Sequence, residues 1–146
     1  MKRSKLPAGM ASARFLYASY RHRARNKQRD FTLTFEEFLI LTKQNCYLCG
    51  SAPNSIRYSK SYNGAYIYNG VDRVNSEYGY HIWNVQPCCG DCNFMKRNLL
   101  LDEFMLKVTK IFELHAARSL LLENMKRKRN APTLDTSKKR HSSRRR

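Results

Sequence analysis

The sequence predicts a small α+β domain organised around one bound metal, with helices on either side. Three observations predict it. Two CxxC pairs, Cys46–Cys49 and Cys89–Cys92, stand about 40 residues apart, a spacing that brings four thiolates to one ion. Between the pairs, Tyr62 to Val74 and Tyr80 to Gln86 are rich in Tyr, Ile and Val and read as two extended pieces around the turn Asn75–Gly79. At 146 residues and 42% hydrophobic, the chain has material for one modest core, which a metal would reinforce.

The charge balance narrows the class of partner. Lys and Arg number 28 against 11 Asp and Glu, a formal net charge of +17, which calls for a polyanion, with nucleic acid first and an anionic membrane surface second. No apolar run is long enough to span a bilayer. Met1-Lys2-Arg3-Ser4-Lys5 leads into no apolar signal core, so the protein is expected to be intracellular rather than secreted. In that compartment the five cysteines read as metal ligands rather than disulfides. No obligate protein partner is evident.

Taken in order, residues 1–30 form a basic N-terminal segment, helical from about Met10 to Arg29. Ala11, Phe15, Ala18 and His22 fall at helical spacing on one side, with Tyr17 and Tyr20 beside them. Arg21, Arg23 and Arg25 make a basic face for phosphates. The plain alternative is a solvated surface. Residues 31–125 form the metal-bound domain and its C-terminal helix. Thr34-Phe35-Glu36-Glu37 is a capping box that opens a helix running to about Gln44, with Phe35, Phe38, Leu39 and Leu41 on its buried side. Gly50 allows the positive φ that ends the first knuckle. Ser51 to Ser61 reads as a loop, and Pro87 as the end of the second extended piece. Cys89 to Leu100 reads as a short helix. Leu101 to about Met125 reads as a longer one, with Asp102 and Glu103 at its start. Residues 126–146 hold 10 of the 28 basic residues against Asp135 alone and are expected to be a disordered basic tail. The rest of the chain still carries a net +8.

Cys46, Cys49, Cys89 and Cys92 are the expected zinc ligands, with Cys88 left packed or free. A four-thiolate zinc has no open position, so any chemistry needs a second, harder ion, Mg²⁺ or Mn²⁺, on oxygen ligands. Asp72 and Asn93 offer such oxygens. Their plain readings are a turn cap or a pair with Arg73 for Asp72, and a helix cap for Asn93.

Asn69-Gly70-Val71-Asp72-Arg73, Gly79-Tyr80, Asn84, Cys89-x-x-Cys92-Asn93 and Lys96 together resemble the HNH endonuclease family with a four-cysteine zinc site, in particular its small phage-type and homing-type members. The resemblance covers roughly residues 11–112. It implies a treble-clef, ββα-metal fold that cleaves DNA, most often duplex, at the phosphodiester with one divalent ion. It implies Asp72 and Asn93 as ligands of that ion, Asn84 as a brace for the loop that orients the water-activating residue, and Lys96 facing phosphate; Arg97 next to it is a further nucleic-acid-binding candidate. Where many members have Asp-His, this chain has Asp72-Arg73. Arginine stays protonated and is a poor base, though it can clamp a phosphate. His81 is the nearest imidazole in sequence and one candidate proton acceptor; direct loss of the proton to solvent is the other route. The alternative to a nuclease is a zinc-stabilised module that binds DNA or structured RNA without cutting it.

Overall fold

The computed structural model describes residues 6–130. The chain forms two units. The first runs to Met105 and contains both cysteine pairs; the second begins at Leu106.

In the first unit, α1 (Met10–Asn26) and α2 (Phe35–Lys43) precede the first knuckle. The capping box at α2 forms as expected: the Thr34 hydroxyl accepts from the Glu37 N–H at 3.2 Å, and the Glu37 carboxylate accepts from the Thr34 N–H at 2.8 Å. Two antiparallel strand pairs follow. β1 (Ser55–Arg57) pairs with β2 (Tyr66–Tyr68), and β3 (Gly70–Arg73) pairs with β4 (Val85–Cys88). A single turn of 3-10 helix, Ile82–Asn84, leads into β4. The short helix α3 (Gly90–Lys96) closes the knuckle–hairpin–helix unit.

Three local expectations change. The buried side of α1 is Ser12, Ala13, Leu16 and Ala24, with Tyr17 and Tyr20, rather than Ala11, Phe15, Ala18 and His22. Phe15 stays 40% exposed, with the Arg57 guanidinium 4.2 Å from its ring centroid. The loop 51–61 contains a strand, β1, which forms because β2 returns alongside it. Pro87 lies inside β4, opposite Val71, instead of ending the extended piece. Val71 and Pro87 pair without ladder bonds: the Val71 N–H donates to the Tyr20 hydroxyl at 3.1 Å and the Pro87 carbonyl accepts from the Tyr47 N–H at 2.9 Å, so this position calls for no N–H from Pro87.

The apolar core packs Ala13 and Leu16 of α1 and Phe38 and Leu41 of α2 against Leu33, Tyr66, Val71 and Val85. Tyr17 meets Phe31, Phe35 and Phe38 edge-on at 5.4–5.5 Å. This core holds β3 from behind. Tyr20 accepts the Val71 N–H, one residue before Asp72. Burial pushes the Tyr20 phenol up to about 12, the Val71 hydrogen bond offsetting part of the rise.

α4 (Leu101–Arg129) starts in the first unit, where Phe104 is buried, and continues as the second. From Leu106 on, its apolar residues, among them Ile111, Phe112, Leu121 and Leu122, are exposed. The helix reaches Arg129, past the point where the tail was expected to begin; residues 131–146 lie outside the described residues. No helix among those described is long and apolar enough to cross a membrane.

Candidate active site and metal centre

The sulfurs of Cys46, Cys49, Cys89 and Cys92 all lie within 4.8 Å of one another, and Cys49 and Cys89 are 3.7 Å apart. A tetrahedral zinc with Zn–S bonds of about 2.3 Å sets sulfurs roughly 3.8 Å apart, so the four fit one ion. The first knuckle is a tight turn: the Gly50 N–H donates to the Cys46 carbonyl, and Gly50 takes φ +75°. Cys89 is the N-cap of α3 and Cys92 lies in its first turn. Burial alone would raise the Cys46 thiol, but the N–H groups of Cys89, Cys49 and Leu48 outweigh it and bring it down to about 6. The Ser51 hydroxyl lowers Cys49. Backbone donors aimed at sulfur favour the thiolate that a metal requires. Cys88 is fully buried and stands outside the cluster of four, where burial raises its thiol.

α3 has two sides. Cys92 and Lys96, one turn apart, face inward. Asn93, Phe94 and Arg97 face a cavity of about 530 Å³ that is also lined by Val71, Asp72, Arg73, Ser76, Tyr80, Gly90 and Asn98. The structure thus brings Asp72, Arg73, Asn93 and Arg97 to one cavity, from β3 and from α3 and its C-terminal end.

Asp72 is 5% exposed and heavily engaged. Its Oδ2 accepts from the Tyr47 hydroxyl at 2.9 Å and lies 3.1 Å from Lys96 Nζ. Lys96 also donates to the Arg73 carbonyl at 3.0 Å. Lys96 therefore does not face phosphate as expected. It is fully buried and ties α3 to β3 through a side chain and a carbonyl. Asp72 Oδ1 is less engaged, 3.5 Å from Lys96 Nζ. Together with the Asn93 side chain it offers hard oxygens to the same cavity, a donor set that suits Mg²⁺ or Mn²⁺ completed by phosphate oxygens.

Arg73 lines the cavity while its Nη1 donates to the carbonyls of Ser76 at 2.6 Å and Tyr78 at 2.8 Å. Burial lowers its pKa, and Arg29 nearby adds to that. Its guanidinium carbon is 5.6 Å from the Tyr80 ring centroid. Asn84 is buried at the end of the loop between β3 and β4, just before β4 begins. Its Nδ2 donates to the carbonyls of Asn75 and Gly79, and its Oδ1 accepts from the Asn75 N–H, each at 3.0 Å. These three bonds set the shape of that loop.

His81 is not among the residues lining the cavity. Its Nδ1 is 3.0 Å from the Thr32 hydroxyl and its ring lies flat against Trp83. Arg21 and Arg23 lie over the rings of Tyr17 and Tyr20, and Arg25 is exposed in the last turn of α1; none of the three lines the cavity. Arg97 lies 5.0 Å over the ring of Phe94 and has φ +51°. Sequence reading missed Tyr47, Tyr80 and Phe94 as members of the site. Tyr47 was legible only as a spacer inside the first CxxC.

No protein-family model matches the chain. Over 108 residues it is 35% identical to an uncharacterised protein of Acanthamoeba polyphaga mimivirus, a match that takes in 74% of this chain and 18% of that protein. The chain thus spans less than a fifth of that relative's length. Among solved structures, the rare-cutting HNH restriction endonuclease PacI superposes with a TM-score of 0.51 at 20% identity, covering 82% of this chain and 92% of that one. The mixed helices and small antiparallel sheets, the four-cysteine site and this superposition lead to one conclusion: the chain has the fold of the HNH endonucleases.

Proposed function

We propose that the protein is a metal-dependent endonuclease that cleaves DNA phosphodiester bonds in the cavity between β3 and α3. The observation that carries this reading is the convergence of Asp72, Asn93, Arg73 and Arg97 on one cavity whose walls are fixed by the four-cysteine cluster. A zinc ion held by Cys46, Cys49, Cys89 and Cys92 would be structural. A Mg²⁺ or Mn²⁺ ion held by Asp72 and Asn93 would supply charge stabilisation at the phosphate and the departing oxygen. The chain's own side chains do the rest. Arg73 and Arg97 bind and orient the phosphate. Lys96 and Tyr47 hold the Asp72 carboxylate in place. Asn84 keeps the loop that carries Tyr80 in shape. The titratable side chains lining the cavity are Asp72, Arg73, Tyr80 and Arg97. Asp72 is held by Lys96, arginine does not deprotonate and a phenol keeps its proton at neutral pH, so no side chain lining the cavity among the described residues serves as the base and the proton of the attacking water passes to solvent.

Plasmid cleavage by the zinc-loaded chain tests this. Nicked or linear DNA should form with Mg²⁺ or Mn²⁺ and not in a chelator selective for them. Asn93→Ala should retain zinc and lose about 10²-fold or more in rate, the usual scale for a group acting on transition-state charge. Tyr80→Phe should leave the rate and its pH dependence unchanged if the proton passes to solvent; a loss of rate would place the phenol in the reaction. The buried ion pair between Asp72 and Lys96 favours a second reading, a nucleic-acid-binding module without cleavage, because the ammonium competes with any cation for Asp72. DNA binding that falls steeply with salt, with no cutting under any metal, would establish that reading instead.

A further inference from the structure

The loop between β3 and β4 carries more than the cavity wall. Trp83 is 65% exposed, Tyr78 51% and Ile82 51%. His81 lies parallel to the Trp83 ring, with centroids 5.1 Å apart and planes 4° from each other, and Tyr78 meets Trp83 edge-on at 5.3 Å. Single exposed apolar residues need no explanation, but a stacked group of aromatic rings facing water does. Such rings on a mobile loop would fold inward to reduce their contact with water. Here the backbone holds them out. Asn84 fixes the carbonyls of Asn75 and Gly79, and Arg73 fixes those of Ser76 and Tyr78. The Tyr80 N–H donates to the Asp30 carbonyl, the Thr32 N–H donates to that of Tyr80, and the Thr32 hydroxyl meets the His81 ring. Gly79 packs so closely on Asp30 that an added Cβ would lie 2.3 Å from its carbonyl oxygen. The loop is clamped from both sides, and the same loop gives Ser76 and Tyr80 to the cavity.

We propose that Trp83, backed by His81, is a stacking platform for a nucleobase, and that the nucleic acid engaged at the cavity offers it an unstacked base. Each base has a π face, and an exposed rigid indole on the same loop that lines a cationic cavity is the arrangement that binds single-stranded or locally opened nucleic acid. The chain's net charge of +17 supplies the phosphate attraction that brings the strand there. The inference rests on the nucleic-acid half of the function proposed above and not on cleavage.

The chain contains one tryptophan, so its indole emission reports on this platform alone. The full zinc-loaded chain, without Mg²⁺ or Mn²⁺, is titrated with a single-stranded oligonucleotide and with an abasic strand of the same length and charge. The base-bearing strand should quench Trp83, and the abasic strand should bind without quenching. Trp83→Ala should weaken binding of the base-bearing strand about tenfold or more and leave the abasic strand unaffected; Trp83→Phe should restore most of the loss. Zinc content of each variant reports that the fold is kept. Unchanged emission at saturation, or equal loss on both strands, overturns the platform. So does a chain that binds neither strand at low salt, which removes the nuclease reading as well. Quenching by the base-bearing strand in a chain that never cuts DNA keeps the platform and removes only the nuclease.

Discussion

Two packed clusters in the first unit are held together by different physics. Beneath α1 and α2, Phe38, Leu16 and Val71 are buried among aromatic rings, and their cohesion comes from apolar surface removed from water. Around Cys46, Cys88, Cys89 and Cys92, Tyr47 and Leu48 alone among the described residues pack as partly buried hydrophobics. That second cluster is too small to hold α3 by burial alone, yet α3 carries half of the cavity. The contrast predicts that the aromatic core forms without metal and that the cavity needs one, which the variants below test. The two clusters meet at β3, where Tyr20 grips Val71 from one side and Lys96 grips Asp72 and the Arg73 carbonyl from the other.

The largest expected effect divides the two. Cys92→Ser should abolish stoichiometric zinc binding, because structural zinc contributes on the order of 10 kcal/mol to small sites. Amide exchange should then be fast across β4 and α3 and remain slow in α1 and α2. Uniformly fast exchange would mean that the clusters fold as one cooperative unit and that the division is wrong. Phe38→Ala acts on the other cluster. It should cost about 3–5 kcal/mol in denaturant unfolding, with one zinc per folded chain retained.

Lys96→Met tests the join between them. Removing the ammonium leaves a buried carboxylate without its ion-pair partner and should cost about 3 kcal/mol. Adding Asp72→Asn to that variant should recover part of the loss; a double variant no more stable than the single one would mean that Lys96 contributes through the Arg73 carbonyl instead. The smallest effect lies at Tyr20. Its folded pKa is raised, so its contribution to stability is complete below the ordinary phenol value of 10.0 and is lost as pH rises through about 12. Tyr20→Phe should flatten the fall in unfolding free energy across that alkaline window. An unchanged slope would place the alkaline sensitivity elsewhere.

What could be read from sequence divides along similar lines. The two cysteine pairs, the capping box and the starts of α2 and α3 were legible because each is specified by residues a few positions apart, although α3 ends at Lys96 rather than near Leu100. The strand β1 was not, because Ser55–Arg57 has no strand pattern until Tyr66–Tyr68 returns beside it. The buried face of α1 was misplaced because small residues line it: Ser12 and Ala24 disappear beneath neighbours, while Phe15 is left out under Arg57. Lys96 read as a phosphate contact on the strength of the family resemblance, which fits the rule that lysine is rarely buried. Only the tertiary partners Asp72 and the Arg73 carbonyl explain its place. Tyr47 reaches Asp72 from a segment distant in sequence, which no local pattern records, whereas Tyr80 stood in the pattern that carried the family resemblance but without a role of its own.

One residue of the cavity wall holds a conflict between persistence and use. Arg97 follows α3 with φ +51°, a left-handed backbone that glycine adopts freely and arginine adopts at a cost of about 1–3 kcal/mol. Selection for thermal endurance alone would favour glycine there. A library of variants screened only for survival on heating should drift toward Arg97→Gly and lose phosphate affinity as it does so, whereas a screen on nucleic-acid binding should keep the arginine and tolerate the lower melting point.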